Sequence, residues 1–356
     1  MKEIYENIYI ITERSRWKML KAPANIYIIA SKKGIIFEGG YGTLADIRFF
    51  RKEYIKVLDA IKKKKTAFKA QYLIPSHSHG DHFAGLCGIR KFTGAKVCLT
   101  SKMAEVISSG SNLIKQHRIS NSPVRILWKE ERTKAAGRWD LFFPHLFGLK
   151  FLNNPDIIIK ENDYIDDGER IWRVMPVKGH CDDHIALFDD KSGILLSGDN
   201  VIQNLITWLG PPRSDLEDYC STLKKIRALK NLKIILPAHG KPLTKPIERI
   251  DEILNHRRKK TMLVIDIIAS REKKGIHFKE LRDIIYPHGT NMWLKSSGEG
   301  WILSTIEFLM KKRMIFLKKT KDKTKIMPTD KIFSKNYLNQ IIHKLTDSEK
   351  EDKICR

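Results

Sequence analysis

Residues 76–85 read SHSHGDHFAG. Three histidines and an aspartate fall between His77 and His82, directly after the apolar run Leu73-Ile74-Pro75. On extended backbone, residues two apart point the same way, so His77 and His79 face one space. Gly80 permits a sharp turn, and Asp81 and His82 then stand at a helix entry, facing the adjoining space. Neutral imidazoles are common zinc ligands, and a carboxylate beside them adds a hard, charged one. One ion rarely accepts four groups from so short a stretch. Two adjacent ions can, if other parts of the chain complete their shells.

Suitable groups recur further on. VMPVKGHCDDH places His180 in a glycine turn after a strand, ILLSGDN places Asp199 at the end of an apolar strand, and IILPAHG does the same for His239. Taken singly, a buried histidine is more often structural than a ligand. Three strand ends that each carry a metal-binding side chain are hard to explain by solvation.

Around these motifs the sequence alternates between β-rich and helical patterns. Strands are expected at 8–11, 26–30, 34–37, 71–74, 97–100, 171–176, 185–188, 194–197 and 233–236. Helices are expected at about 46–65, from near Phe83, at 101–118 and at 215–229. The stretch 119–157 is irregular and aromatic, with Trp128, Trp139, Phe142, Phe143, Phe147 and Phe151, and reads as an insertion over the site or a contact surface. The class is α/β, with the site along one sheet edge. A helix at 246–260, three more at 261–270, 278–285 and 299–312, and a hairpin at 314–328 give a winged-helix pattern. A polar tail from 331 either frays or packs as one short helix.

The chain has 356 residues, ample for one large domain and a small one. No apolar stretch approaches the eighteen or so residues of a membrane span, and charges interrupt the N-terminal apolar segment, unlike a secretory signal. Five widely spaced cysteines without a CxxC pair suit a reducing cytoplasm. The net charge of +25 divides into +10 over residues 251–356 and +15 over the rest. Its local peaks are Lys62–Lys65 and KKRMIFLKKTKDKTK at 311–325. So diffuse an excess is weak evidence for a nucleic-acid partner.

HxHxDH at 77–82, GH at 179–180, SGD at 197–199 and AHG at 238–240, in that order, resemble the metallo-β-lactamase-fold hydrolases, and most closely the glyoxalase II-like branch. The resemblance covers about residues 1–245 and implies a four-layer αβ/βα sandwich with metals at one edge of the paired sheets. It assigns His77, His79 and His180 to a first ion, Asp81, His82 and His239 to a second, and Asp199 to a bridge. It implies two Zn2+, with iron or manganese as alternatives, and hydrolysis by a metal-bridging hydroxide, with Asp81 and Asp199 as the catalytic carboxylates. The family's Asp-Thr-Gly turn is replaced by Glu38-Gly39-Gly40, which alters the support of the ligands. Cys181-Asp182-Asp183 stands where Thr-Pro-Gly is usual, and His184 is expected to support the site or touch substrate. Cys181 reads as a packed residue rather than a nucleophile.

NHRRKK at 255–260, ahead of the small C-terminal unit, resembles the junction in the β-lactamase-like-protein-2 group, which joins this hydrolase fold to a winged helix. His256 and Arg257 are the residues expected there to support the site or meet substrate. The group includes both thioesterases and single-strand-specific endoribonucleases, so two substrates stay open. One is an ester or thioester of a small or carrier-bound acyl group. The other is RNA, held by the basic stretches and stacked on the aromatic insertion. A third reading is a nucleic-acid-binding module acting through the winged helix, against which the complete ligand set argues. The winged helix could equally serve as a cap or a homodimer contact.

Overall fold

The computed structural model describes residues 1–13, 21–117, 122–131, 145–321 and 323–347. Seven strands, β1 (Lys2–Tyr5), β2 (Ile8–Thr12), β3 (Asn25–Ile29), β4 (Gly34–Phe37), β5 (Ala70–Ile74), β6 (Lys96–Leu99) and β7 (Ile157–Ile158), lie side by side in chain order. The first four pair antiparallel, whereas β4 to β7 run parallel. A second sheet has the order β12-β11-β10-β9-β8. Its strands are β8 (Tyr164–Asp166), β9 (Ile171–Pro176), β10 (Ile185–Asp189), β11 (Ile194–Gly198) and β12 (Ile234–Pro237). Of its pairings, β11 with β12 is parallel.

Period-two alternation in the second sheet creates the layers. Trp172, Val174, Ile185, Leu187, Ile194, Leu196 and Leu236 join the core of the first sheet. Their alternates Met175, Ala186, Phe188, Leu195 and Ile235 belong to a second core on the opposite face. The first core is closed by α1 (Leu44–Lys63), α2 (Gly80–Phe83), α3 (Leu86–Thr93) and α4 (Ser101–Ile107), through Phe50, Val57, Phe83, Ile89 and Val106. The second is closed chiefly by α7 (Leu216–Arg227) and α8 (Pro246–Ala269), through Tyr219, Leu223, Ile250 and Leu254. Helices, sheet, sheet and helices therefore stack as four layers.

Several boundaries differ from the sequence reading. The helix expected at 101–118 is two, α4 and α5 (Gly110–His117), broken at Ser108-Ser109-Gly110, where hydroxyls compete for backbone partners. The two helices expected at 246–260 and 261–270 are one continuous α8. No glycine or proline interrupts it, and Ile250, Leu254, Arg257, Thr261, Val264 and Ile268 keep one buried stripe along it. In the aromatic insertion, α6 (Arg125–Glu131) places Leu127 in the second core, and Phe147 packs edge-on to Tyr41. Trp139, Phe142 and Phe143 lie outside the described residues.

The C-terminal unit contains α9 (Phe278–Ile285), α10 (Met292–Lys311) and an antiparallel sheet of β13 (Ile276–His277), β14 (Ile315–Lys319) and β15 (Thr324–Pro328) in the order β13-β15-β14. Residues expected as a polar tail form α11 (Lys335–Thr346), which buries Ile342 and Leu345. All these apolar residues share one core with α7 and α8, so the unit is packed onto the second sheet's outer layer rather than tethered beside it. Among the described residues, no helix is long and apolar enough to cross a membrane.

Candidate metal centre

The side chains singled out in the sequence emerge at the C-terminal ends of strands, the edge where open α/β sheets present their sites. Glu38 follows β4, Ser76–His79 follow β5, Asp199 follows β11, and His239 follows β12. Cross-sheet hydrogen bonds bring these ends together. The Ile185 N–H donates to Ser76 O (2.8 Å) and the Asn25 N–H to Ala238 O (2.8 Å). The Asn25 amide also donates to Pro237 O (2.9 Å) and Gly240 O (2.8 Å). Gly198 turns the chain out of β11 at φ +54°, and a Cβ there would lie 2.3 Å from His184 Nε2 and 2.6 Å from Ser76. Glycine is thus required for the turn that aims Asp199 into the site.

Two groups of ring nitrogens and carboxylates result. His77 Nε2, His79 Nδ1 and His180 Nε2 converge within 2.8–3.2 Å of one another. Nearby, Asp81 approaches His239 Nε2 at 3.3 Å and His82 Nε2 at 3.6 Å. Asp199 stands between the groups: Oδ2 is 3.5 Å from His82 Nε2 and 3.6 Å from His180 Nε2, and Oδ1 is 3.5 Å from His239 Nε2. Two donors on one tetrahedral zinc at about 2.0–2.1 Å are roughly 3.3–3.4 Å apart, so these separations suit shared ions. His82 Nε2 and Asp199 Oδ1 are buried without a hydrogen-bond partner, which a cation would provide. The donor set fits two divalent ions.

The far sides of the His180, His239 and His82 rings are fixed. The Nδ1 of His180 is 2.7 Å from Trp208 O, and that of His239 is 2.8 Å from Pro23 O. Donation there turns each Nε2 towards the centre. For His82, Nδ1 meets the Glu38 carboxylate at 3.1 Å, and the same oxygen accepts the Ser76 N–H. Glu38 therefore occupies, at φ +77°, the place from which a carboxylate can orient a ligand histidine. His184 is buried behind the cluster. Its Nε2 accepts the Asp199 N–H at 3.3 Å, so it braces the Asp199 backbone rather than joining the set.

The two groups differ in charge. Burial and the surrounding imidazoles hold His77 well below the usual histidine range, and burial lowers His180 against the opposing pull of Asp199. Burial presses His239 downward too, but Asp199 and Asp81 outweigh it and push it up to about 9. For His82, Glu38, Asp199 and Asp81 likewise overcome burial, and the imidazolium is favoured well above its ordinary range. Burial pushes the Cys181 thiol far up, against any nucleophilic role.

Arg257 and His256 are not brought into this cluster. Arg257 is buried on α8, donates to Thr207 O and lies over the Tyr219 ring, so it supports the loop after Asp199. His256 is half-buried beside Arg257, Lys260 and Arg249, and burial and those cations lower its pKa. A residue not anticipated is Arg213. It is buried, pairs with Asp182 (2.6 Å) and Asp183 (2.9 Å), and donates to Ser78 Oγ (2.6 Å), tying the His180 turn to the His77–His79 segment. The acid in Cys181-Asp182-Asp183 was the available sign that a buried cation had to face it.

Residues 21–239 match the family model of the metallo-β-lactamase superfamily. The chain belongs to that superfamily. Its members are metal-dependent hydrolases. The chain is 24% identical over 227 residues to the β-lactamase-like protein 2 homolog of Caenorhabditis elegans, matching 62% of this chain and 59% of the nematode protein. It therefore spans less than two thirds of that relative's length. It is 27% identical over 221 residues to the human acyl-coenzyme A thioesterase MBLAC2, covering 61% of this chain and 72% of the human protein. Among solved structures, a β-lactamase domain protein from Burkholderia ambifaria superposes with a TM-score of 0.73 at 15% identity, over 92% of this chain and 94% of that one.

Proposed function

We propose that this protein is a dinuclear zinc hydrolase that cleaves an ester or, preferentially, a thioester of an acyl group. The observation that carries the reading is the position of Asp199, within 3.5–3.6 Å of ring nitrogens from both histidine groups. His77, His79 and His180 would hold one ion, Asp81, His82 and His239 the other, and Asp199 both. When bound, the ions supply Lewis acidity, lowering the pKa of water from 15.7 towards neutrality and polarising the scissile carbonyl. The chain's own part is to aim lone pairs, through Trp208 O, Pro23 O and Glu38, and to keep carboxylates beside the reacting water. Asp81, the one carboxylate of the set that is partly exposed, would help to hold and orient that water.

Thioester chemistry is favoured by the acyl-coenzyme A thioesterase relative and by a 30% identical, 88-residue match to a hydroxyacylglutathione hydrolase of Francisella tularensis. We read residues 246–330 as a winged helix with β14 and β15 as its wing. The basic stretch that would favour RNA is partly engaged within the chain: Lys311 pairs with Asp215 (2.5 Å) and Lys312 with Glu217 (2.7 Å). Parallel assays of zinc-loaded protein test the reading, with acyl-coenzyme A and acyl-glutathione hydrolysis followed by thiol release, and single-stranded RNA followed by gel. Thioester turnover that Asp199→Ala abolishes is expected. RNA cleavage without thioester turnover would replace this reading with the nuclease one.

A further inference from the structure

The loop from Asp199 to Arg213 carries one candidate ligand and orients another, yet it is held from outside the two sheets. On α8, Arg249 donates through Nε to Ile202 O (2.8 Å) and through Nη2 to Leu205 O (3.0 Å). Arg257 donates to Thr207 O, and the Thr207 hydroxyl donates to Asp199 O at 2.5 Å. One residue later, the Trp208 carbonyl accepts the hydrogen bond that sets the His180 ring.

The backbone around His180 is fixed separately. Ser214 Oγ donates to His180 O (2.7 Å), and the Asp215 N–H donates to Gly179 O (2.8 Å). Rotation of the imidazole is left to the contacts of the ring itself: the rings of His77, His79 and His184 lie edge-on to it, and Trp208 O is its hydrogen-bond partner on the far side from the cluster.

The Trp208 indole lies against two glycines from different segments. A Cβ on Gly210 would fall 2.3 Å from the indole Cζ2. A Cβ on Gly300, inside α10, would fall 2.5 Å from Leu209 O and 2.9 Å from Trp208 Nε1. No side chain fits at either position without displacing the indole or the loop backbone. The indole remains 46% exposed, so removing it empties little core.

We propose that Trp208 is a positioning residue for His180. Its indole, seated on α10 at Gly300, fixes the carbonyl that orients the ring, and the C-terminal unit thereby sets the affinity of the first metal position. The inference rests on the reading of His180 as a metal ligand.

Stepwise zinc titration against a chelator, with cobalt-substituted protein giving the visible spectrum of each position, tests it. His180→Ala and His239→Ala assign the first and second steps. Trp208→Ala and Gly300→Ala should each weaken the first step by about 10–100-fold, the usual effect of losing a ligand's orienting partner, and shift its cobalt spectrum. Gly298→Ala, on the same helix, would push into the Tyr286 ring instead (2.3 Å) and should leave the first step within about twofold. If Gly300→Ala does not fold, Trp208→Ala decides. Wild-type affinity and spectrum in folded Trp208→Ala, or equal weakening of both steps, would overturn the proposal. Retention of both ions by His180→Ala would instead overturn the ligand assignment itself.

Discussion

The two halves of the candidate metal centre are built from similar residues and stand in opposite electrostatic states. His77, His79 and His180 meet one another, and burial keeps His77 and His180 neutral, with lone pairs already available. Asp81, His82 and His239 are an ion-pair cluster in which carboxylates hold the two imidazoles protonated. The first half is prepared for a cation. The second already contains its positive charge as protons, which an incoming ion must displace. Residue type alone does not separate them; the neighbours do.

Asp199 is common to both halves, so its loss gives the largest effect. Asp199→Ala should lower kcat/KM by at least about a thousandfold and weaken both ions, measured by metal content and thiol release. Preserved binding at either half would break the symmetry attributed to this carboxylate.

Acid should separate the halves next. With His239 raised to about 9, the second position competes with protons across the neutral range, so its affinity rises with pH until that value is passed and falls as pH drops. His77 and His180 are lowered, so the first position keeps its ion to more acidic pH. Dialysis at pH 5.5 should leave about one metal per chain and at pH 8 two, read by elemental analysis. Loss of both together would erase the distinction.

Glu38→Gln keeps the shape but removes the carboxylate that faces His82 Nδ1. A drop of about 10–100-fold in second-site affinity is expected, with the first site nearly unchanged, by chelator titration.

The smallest expected effect concerns Glu13. Burial, with Asp46 and Asp81 adding to it, pushes its carboxyl up to about 8, although it accepts the Tyr41 N–H. The folded chain thus retains a proton that the unfolded chain releases above about 4.5. This group withdraws stability as pH rises from there through 8. Thermal melts should show a smaller fall in Tm between pH 5 and 8.5 for Glu13→Gln than for the parent.

Much of this was legible in the sequence because ligand chemistry is restricted to a few residue types. His77, His79, Asp81, His82, His180, Asp199 and His239 were singled out by identity and by their place at strand ends or, for Asp81 and His82, at the helix entry after Gly80. The partners that orient them mostly could not, since Pro23 and Trp208 act through backbone carbonyls that every residue possesses. Arg213 was missed for a related reason: an arginine in PPRSD reads as surface charge until the fold buries it against Asp182 and Asp183. The junction residue His256 was noticed by its motif, yet helix α8 turns it away from the cluster while Arg257, its neighbour, faces inward. Boundaries such as the continuous α8 depended on tertiary packing of its stripe.

The closure of the two sheets at the site joins positions far apart in the chain. The Asn25 amide reaches Pro237 and Gly240 across 212 and 215 residues, and Ala24 pairs with His239 itself. Contacts of such separation form late and slow the search for the native topology. A chain growing from its N-terminus therefore exposes SHSHGDH long before its last ligand exists. The histidines of its first group are all present once His180 has been made and Asp199 follows soon after, whereas the second group waits for the strand that delivers His239. Order of synthesis, as well as charge, thus distinguishes the two halves of the centre.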